Sequence, residues 1–169
     1  DITVVHNGPN FQIVQTSNPL NLLASQAAAV TNSIQINGQA NVADELTVHH
    51  GPGLVNVPVS FHGGTGAGDR LIIKGNSFNN VQHQLTGPGS ATLSQDGLPI
   101  ALTEDEGVAD LTNAVQRSFA YPVTDNVIKI DVGAKLGDGL TRIASANAGP
   151  SIEFLAPQKA LTIDAGGGK

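Results

Sequence analysis

Val59-Ser60-Phe61-His62-Gly63-Gly64-Thr65-Gly66-Ala67-Gly68-Asp69-Arg70-Leu71-Ile72-Ile73 is the stretch that decides the fold class. Apolar side chains stand at i and i+2 on both sides of a glycine-rich bend, which is the period of a strand. The phrase recurs upstream, where Ser33-Ile34-Gln35-Ile36-Asn37-Gly38 leads through Asp44-Glu45 to Leu46-Thr47-Val48. It recurs again across the termini, where Leu161-Thr162-Ile163-Asp164-Ala165-Gly166-Gly167-Gly168-Lys169 reads on into Asp1-Ile2-Thr3-Val4-Val5. In this alignment Ile34/Ile36 matches Val59/Phe61 and Leu161/Ile163, and Leu46/Val48 matches Leu71/Ile73 and Ile2/Val4. Asp44, Asp69 and Asp1 stand before the second strand of each copy. Glycine supplies the sharp bend, and aspartate can cap neighbouring backbone N–H groups.

Working outward, the same alternation fills most of the chain. Asn7-Gly8-Pro9-Asn10 is turn chemistry between Ile2–Val5 and Phe11–Val14. Asp96-Gly97 favours a type I′ hairpin, or else a turn between neighbouring sides of one coil. Residues 18–32 read either as a short helix or as strand, loop and small-residue strand. Residues 104–116, with apolar positions at Val108, Leu111 and Val115, read as one or two helical turns or a loop excursion. The rest yields about fourteen short strands separated by turn signals every ~8–12 residues, which is all-β.

Composition refines the class. The 169 residues hold 20 Gly and 9 Pro, no Cys, Met or Trp, and only 13 % charged and 4 % aromatic residues. That many residues make one domain. A β-sandwich repeat domain would use a heavier aromatic core. Small apolar residues with many polar amides suit stacked layers, so a parallel β-helix or β-solenoid is the expected fold. Residues 1–169 are read as a single repeat unit of a tandem array or filament. The junction residues Asp1, Ile2, Val4, Leu161, Ile163, Gly166, Gly167, Gly168 and Lys169 are its expected assembly site.

A net charge of −6 disfavours nucleic acid and anionic membranes as partners. No stretch reaches the ~18 apolar residues of a membrane span. The absence of Cys removes disulfide frameworks and thiol catalysis.

The glycine–aspartate phrasing resembles the tandem repeats of giant bacterial surface and secreted proteins, planctomycete ones above all. Leu161 to Lys169 continued into Asp1 to Val5 is the closest stretch. Ser90 to Gly97, Thr103 to Gly107 and Ser151 to Phe154 are also similar to that family. The resemblance implies β-helical rods used as extracellular fibres, surface layers or adhesin stalks. A more distant likeness, to the calcium-binding nonapeptide repeat, makes Asp1, Asp44 and Asp69 calcium candidates. Here the aspartate of Gly63–Asp69 comes one place late, and no two nonapeptides lie in tandem. No cofactor is therefore expected.

Other chemistry is thinner. His6, His49 and Lys74 fall in matching places and would form one row on stacked coils. His50, His62 and His83 complete the histidines, with no metal-ligand spacing among them. Asp69, Arg70, Asp138 and Arg142 are the pieces available to a polysaccharide lyase on a β-helix. An adhesin or carbohydrate-binding module would need Phe78, Phe119 or Tyr121 exposed for a cell-surface glycan. The leading expectation is a non-enzymatic structural protein, located outside the cell or on its surface, whose partner is another copy of itself.

Overall fold

The computed structural model describes residues 1–122 and 126–167. Among them lie fourteen strands, one 3₁₀ turn at Ala28–Val30 and no α-helix. The strands are β1 (Ile2–Asn7), β2 (Asn10–Gln15), β3 (Asn18–Ala27), β4 (Ile34–Asn37), β5 (Glu45–His49), β6 (Val59–His62) and β7 (Arg70–Gly87). They continue with β8 (Ser90–Gln95), β9 (Leu98–Thr103), β10 (Gly107–Ala120), β11 (Ile128–Val132), β12 (Leu140–Ser145), β13 (Ser151–Leu155) and β14 (Ala160–Asp164). The protein is all-β, as the alternation and turn spacing predict.

All fourteen strands belong to one curled sheet of mixed parallel and antiparallel pairs. Its two long members, β7 and β10, pass through two limbs. Their first halves lie in the order β11-β12-β13-β10-β7-β5-β1-β2-β3. Their second halves lie in a limb that runs β14-β10-β7-β8-β9-β6-β4. In β7 the passage between limbs falls at Gly75 and Asn76, both at positive φ (82° and 63°). In β10 it falls at a register shift between Leu111 and Asn113. A bulge there bends the strand and changes which face a side chain meets.

The register places aligned residues of successive segments side by side. Ile2, Leu46, Leu71, Val108 and Ile152 form one parallel row in the first limb. Ile34, Val59 and Ile100 form another in the second, and Ile36, Phe61 and Leu102 a third. Most of these side chains are buried in one continuous core that spans both limbs. Each buried aliphatic side chain contributes roughly 1.5–3 kcal/mol of transfer free energy. Antiparallel hairpins decorate the parallel stacks. Asn7 faces Asn10 across Gly8-Pro9, and Gln95 faces Leu98 across Asp96-Gly97, whose φ values of 49° and 91° suit a type I′ turn.

Several expectations shift. Of the two readings of residues 18–32, the strand holds over 18–27, with all ten residues exposed. Residues 107–120 are also strand, neither helical turns nor a loop. The bulge and the buried Ala109, Asp110, Thr112, Ala114 and Arg117 hide its alternation. Leu161 and Ile163 pair with Arg117 and Phe119 rather than with the Val59/Phe61 row. The third member of that row is instead Ile100/Leu102, which the glycine phrase did not mark. His49 and Lys74 pair directly, but Val5, not His6, completes their row. By the same register Asp1 falls opposite Glu45, one residue out of line with Asp44 and Asp69.

Candidate functional site

Two polar constructions stand out from the aliphatic rows. The first is a ladder of carboxylates along the turns that lead into β5, β7 and β10. Asp44 Oδ2 accepts the Gln39 N–H within its own turn at 2.6 Å. The Asp44 N–H is in turn capped by Asp69 Oδ1 of the next layer at 2.8 Å. Glu106 Oε2 of the following layer accepts the N–H groups of Gly68 and Asp69, at 3.0 and 2.7 Å. Asp44 therefore closes its own bend, while Asp69 and Glu106 each fasten the preceding layer, as capping acids should. The layers approach so closely that a Cβ at Gly63 would collide with the Glu104 carbonyl oxygen, and one at Gly66 with that of Val42. Space, rather than φ, demands glycine at these two positions. In the bend at 104–106, which holds no glycine, Glu104 itself takes a positive φ of 55°.

Asp105 sits beside this ladder, only 1 % exposed. Its Oδ1 accepts the Gly107 N–H at 2.7 Å, while Oδ2 is buried without a partner. Burial, reinforced by Glu106 and Asp69, pushes its carboxyl up to about 7.

The second construction is fully interior. Asp110 occupies the row of Val48 and Ile73, where an aliphatic residue is expected. Its carboxylate pairs with Arg117 and lies 3.1 Å from His83 Nε2, with all three side chains at or near zero exposure. Asp110 Oδ1 accepts the Thr112 hydroxyl at 2.5 Å and the Thr112 N–H at 3.1 Å. Arg117 also donates to the Thr112 carbonyl at 2.9 Å. The network continues through Gln95, whose Nε2 is 3.5 Å from Thr112 Oγ1, to His50 at 3.0 Å from Gln95 Oε1. His83 stacks on Phe119 at 4.6 Å, and the Arg117 guanidinium lies over Phe154 at 5.5 Å.

Electrostatics follow from this burial. Desolvation lowers the pKa of His83 and of His50, so both are neutral. Asp110 is held ionised, well below the usual carboxylate range. Its burial opposes this, but the His83 hydrogen bond and the Arg117 charge outweigh the burial. The Val55 N–H donates to His50 Nδ1 at 3.2 Å. The other ring nitrogen, Nε2, then carries the proton and donates to Gln95 Oε1.

The remaining candidates separate. Asp69, Arg70 and Arg142 line one groove of about 310 Å³ with Glu106, Ser151 and Glu153. Arg70 is already paired with Glu153 at 3.3 Å, and Arg142 with Ser151 at 2.7 Å. Asp138 lies apart and caps the Leu140 N–H at 2.9 Å. The calcium candidates are not convergent either. Asp44 and Asp69 are engaged with backbone amides, and Asp1 is out of register. No group of three or more acidic or histidine side chains is arranged for a metal among the described residues. Phe78, Phe119 and Tyr121 are buried, as are Phe11, Phe61 and Phe154, so none forms an exposed stacking platform. Of the junction residues, Val4 is fully buried and Ile2 packs against the core, with β1 paired on both sides. Leu161 and Ile163 lie on β14, which among the described residues pairs only with β10. Gly166 and Gly167 follow it, and Gly168 and Lys169 lie outside the described residues.

No family model, curated protein or solved structure matches the chain. No helix among the described residues is long and apolar enough to cross a membrane.

Proposed function

We propose that this chain is a structural unit of an extracellular or cell-surface rod, built by adding copies edge to edge. The observation that carries the reading is a pair of open ends, one of them, β3, apolar and uncharged, the other, β11, bearing the exposed Lys129–Asp131 pair. Among the described residues, β3 pairs only with β2 and β4 only with β6 at one end. At the other, again among the described residues, β11 pairs only with β12 and β14 only with β10. Unpaired strand edges are templates for another chain, and soluble proteins usually guard them with charge. β3 carries no charged residue, and exposes Leu20 (94 %), Leu22 (50 %) and Leu23 (54 %). The opposite end exposes Ile130, Val132 and Leu136.

The stacked parallel rows support a layered, solenoid-like organisation that a further copy would continue. β14 closes one end of its limb beyond β10, whereas β1 stands behind β2 and β3, so β3 rather than β1 would meet the next copy. The carboxylate ladder serves this role mechanically, because each bend is fastened to the next layer. The polar-amide surface and sparse charge also suit a rod outside the cell. Electron micrographs of the concentrated chain test the proposal. Rods with a regular axial repeat are expected. Single-chain particles at every concentration would contradict it.

A further inference from the structure

Thr112 and Gln95 sit in the one buried cluster that no role in the rod explains. Thr112 lies at the bulge of β10, and Gln95 at the end of β8, so the β7 strand runs between their strands. Both side chains are completely buried. The Thr112 hydroxyl donates to Asp110 Oδ1 at 2.5 Å and faces the Gln95 amide nitrogen at 3.5 Å. The Gln95 carbonyl oxygen receives the His50 Nε2–H at 3.0 Å. A hydroxyl held on a carboxylate, beside an amide whose oxygen is held by a donor, is the arrangement of acyl transfer.

We propose that Thr112 and Gln95 form an intramolecular ester cross-link with loss of ammonia. Asp110 takes the Thr112 hydroxyl proton as Oγ1 attacks Gln95 Cδ. His50 Nε2–H holds the oxyanion of the tetrahedral intermediate. The Cδ–Nε2 bond then breaks, the departing nitrogen takes the proton back from Asp110, and ammonia leaves. The product is a Gln95 acyl ester of Thr112, and no oxidant or cofactor enters the balance. The Gln95 amide nitrogen already reaches Thr112 Oγ1 at 3.5 Å, and a small rotation about the Cβ–Cγ bond of Gln95 carries Cδ towards that oxygen. Arg117 and His83 keep Asp110 ionised and hence a weak base, which a reaction performed once per molecule tolerates. Water is excluded from the pocket, so the finished ester is shielded from hydrolysis. The link would tie β8 to β10 around β7, closing the bend between the two limbs.

Intact mass spectrometry of the folded chain, incubated until its mass is constant, tests this. The expected mass lies about 17 Da below that of the sequence, the mass of one ammonia. A protease cutting after acidic residues separates Gln95 from Thr112 at Asp96, Glu104 and Glu106. The digest should contain a branched peptide joining the two residues, which hydroxylamine opens. Gln95→Leu and Thr112→Val should restore the unmodified mass, and Asp110→Asn should slow the loss by about 100-fold or more. Full mass in the folded wild type overturns the proposal. So does ammonia loss confined to a linear peptide, as a succinimide at Asn7-Gly8 or Asn37-Gly38 would give.

Discussion

Two sets of acids tie neighbouring strands together, and they do so in opposite surroundings. Asp44, Asp69 and Glu106 work at the turns, where carboxylates meet backbone N–H groups from layer to layer. Asp110 works in the core, where it meets Arg117, His83 and Thr112 with no exposure. The ladder is modular, since its bonds join one bend to the next, and at the exposed Glu106 water can stand in for a lost bond, although Asp69 itself is buried. The core cluster is not, because removing one partner strands a charge in a dry interior. Repetition in this protein is therefore carried at the surface, and uniqueness in the core at the bend of β7 and β10.

The largest expected effect comes from breaking the core cluster. Arg117→Met strips the buried Asp110 carboxylate of its counter-charge and should cost about 3–5 kcal/mol in urea unfolding. Adding Asp110→Val, which restores the aliphatic row, should recover much of that loss. A single substitution no worse than a turn variant would erase the distinction between the two regions. Glu106→Ala removes the acceptor of two backbone N–H groups in an exposed turn, and should cost about 1–2 kcal/mol. Equal losses for Glu106→Ala and Arg117→Met would show that the turns and the core are equivalent fasteners.

A pH experiment sharpens the contrast further. The carboxyl of Asp105 lies at about 7 in the folded chain against an ordinary value of 3.8. A raised carboxyl favours the folded state fully below the ordinary value, and that advantage is lost as pH rises through about 7. Neutral His50 and His83 act oppositely, since their lowered pKa values cost stability as pH falls below 6.5. Comparison with Asp105→Asn isolates the carboxyl. The variant should match the wild type in Tm near pH 4 and exceed it near pH 8. A constant difference across that range would show that Asp105 does not titrate on folding.

Much of the layering is readable in the sequence, because stacked rows repeat the same apolar pairs beside the same glycines. Ile34/Ile36 beside Val59/Phe61, and Leu46/Val48 beside Leu71/Ile73, are adjacent in the sheet as they are alike in the chain. The match fails where chemistry is substituted for pattern. The bend before β10 uses Glu104 at positive φ in place of glycine, so Ile100/Leu102 and Val108 escaped alignment. The core cluster left no local signal. Asp110, Thr112 and Arg117 share β10, but His50, His83 and Gln95 lie far from them in sequence and reach them only through strand pairing. The bulge at Leu111/Asn113 made Val108, Leu111 and Val115 mimic a helical period. Asp1 and His6 were misplaced for a simpler reason, a one-residue difference in the spacing of the terminal copy.

The smallest effect on stability should come from β3, yet it bears most directly on the rod. Leu20→Lys with Leu22→Lys alters exposed side chains, and should change unfolding free energy by no more than about 0.5 kcal/mol. Sedimentation velocity of the wild type and this variant over a concentration series is the decisive measurement. The wild type should form larger species as concentration rises, and the charged-edge variant should remain a monomer. A wild type that stays monomeric throughout, or a variant that assembles equally well, would contradict growth through the β3 edge.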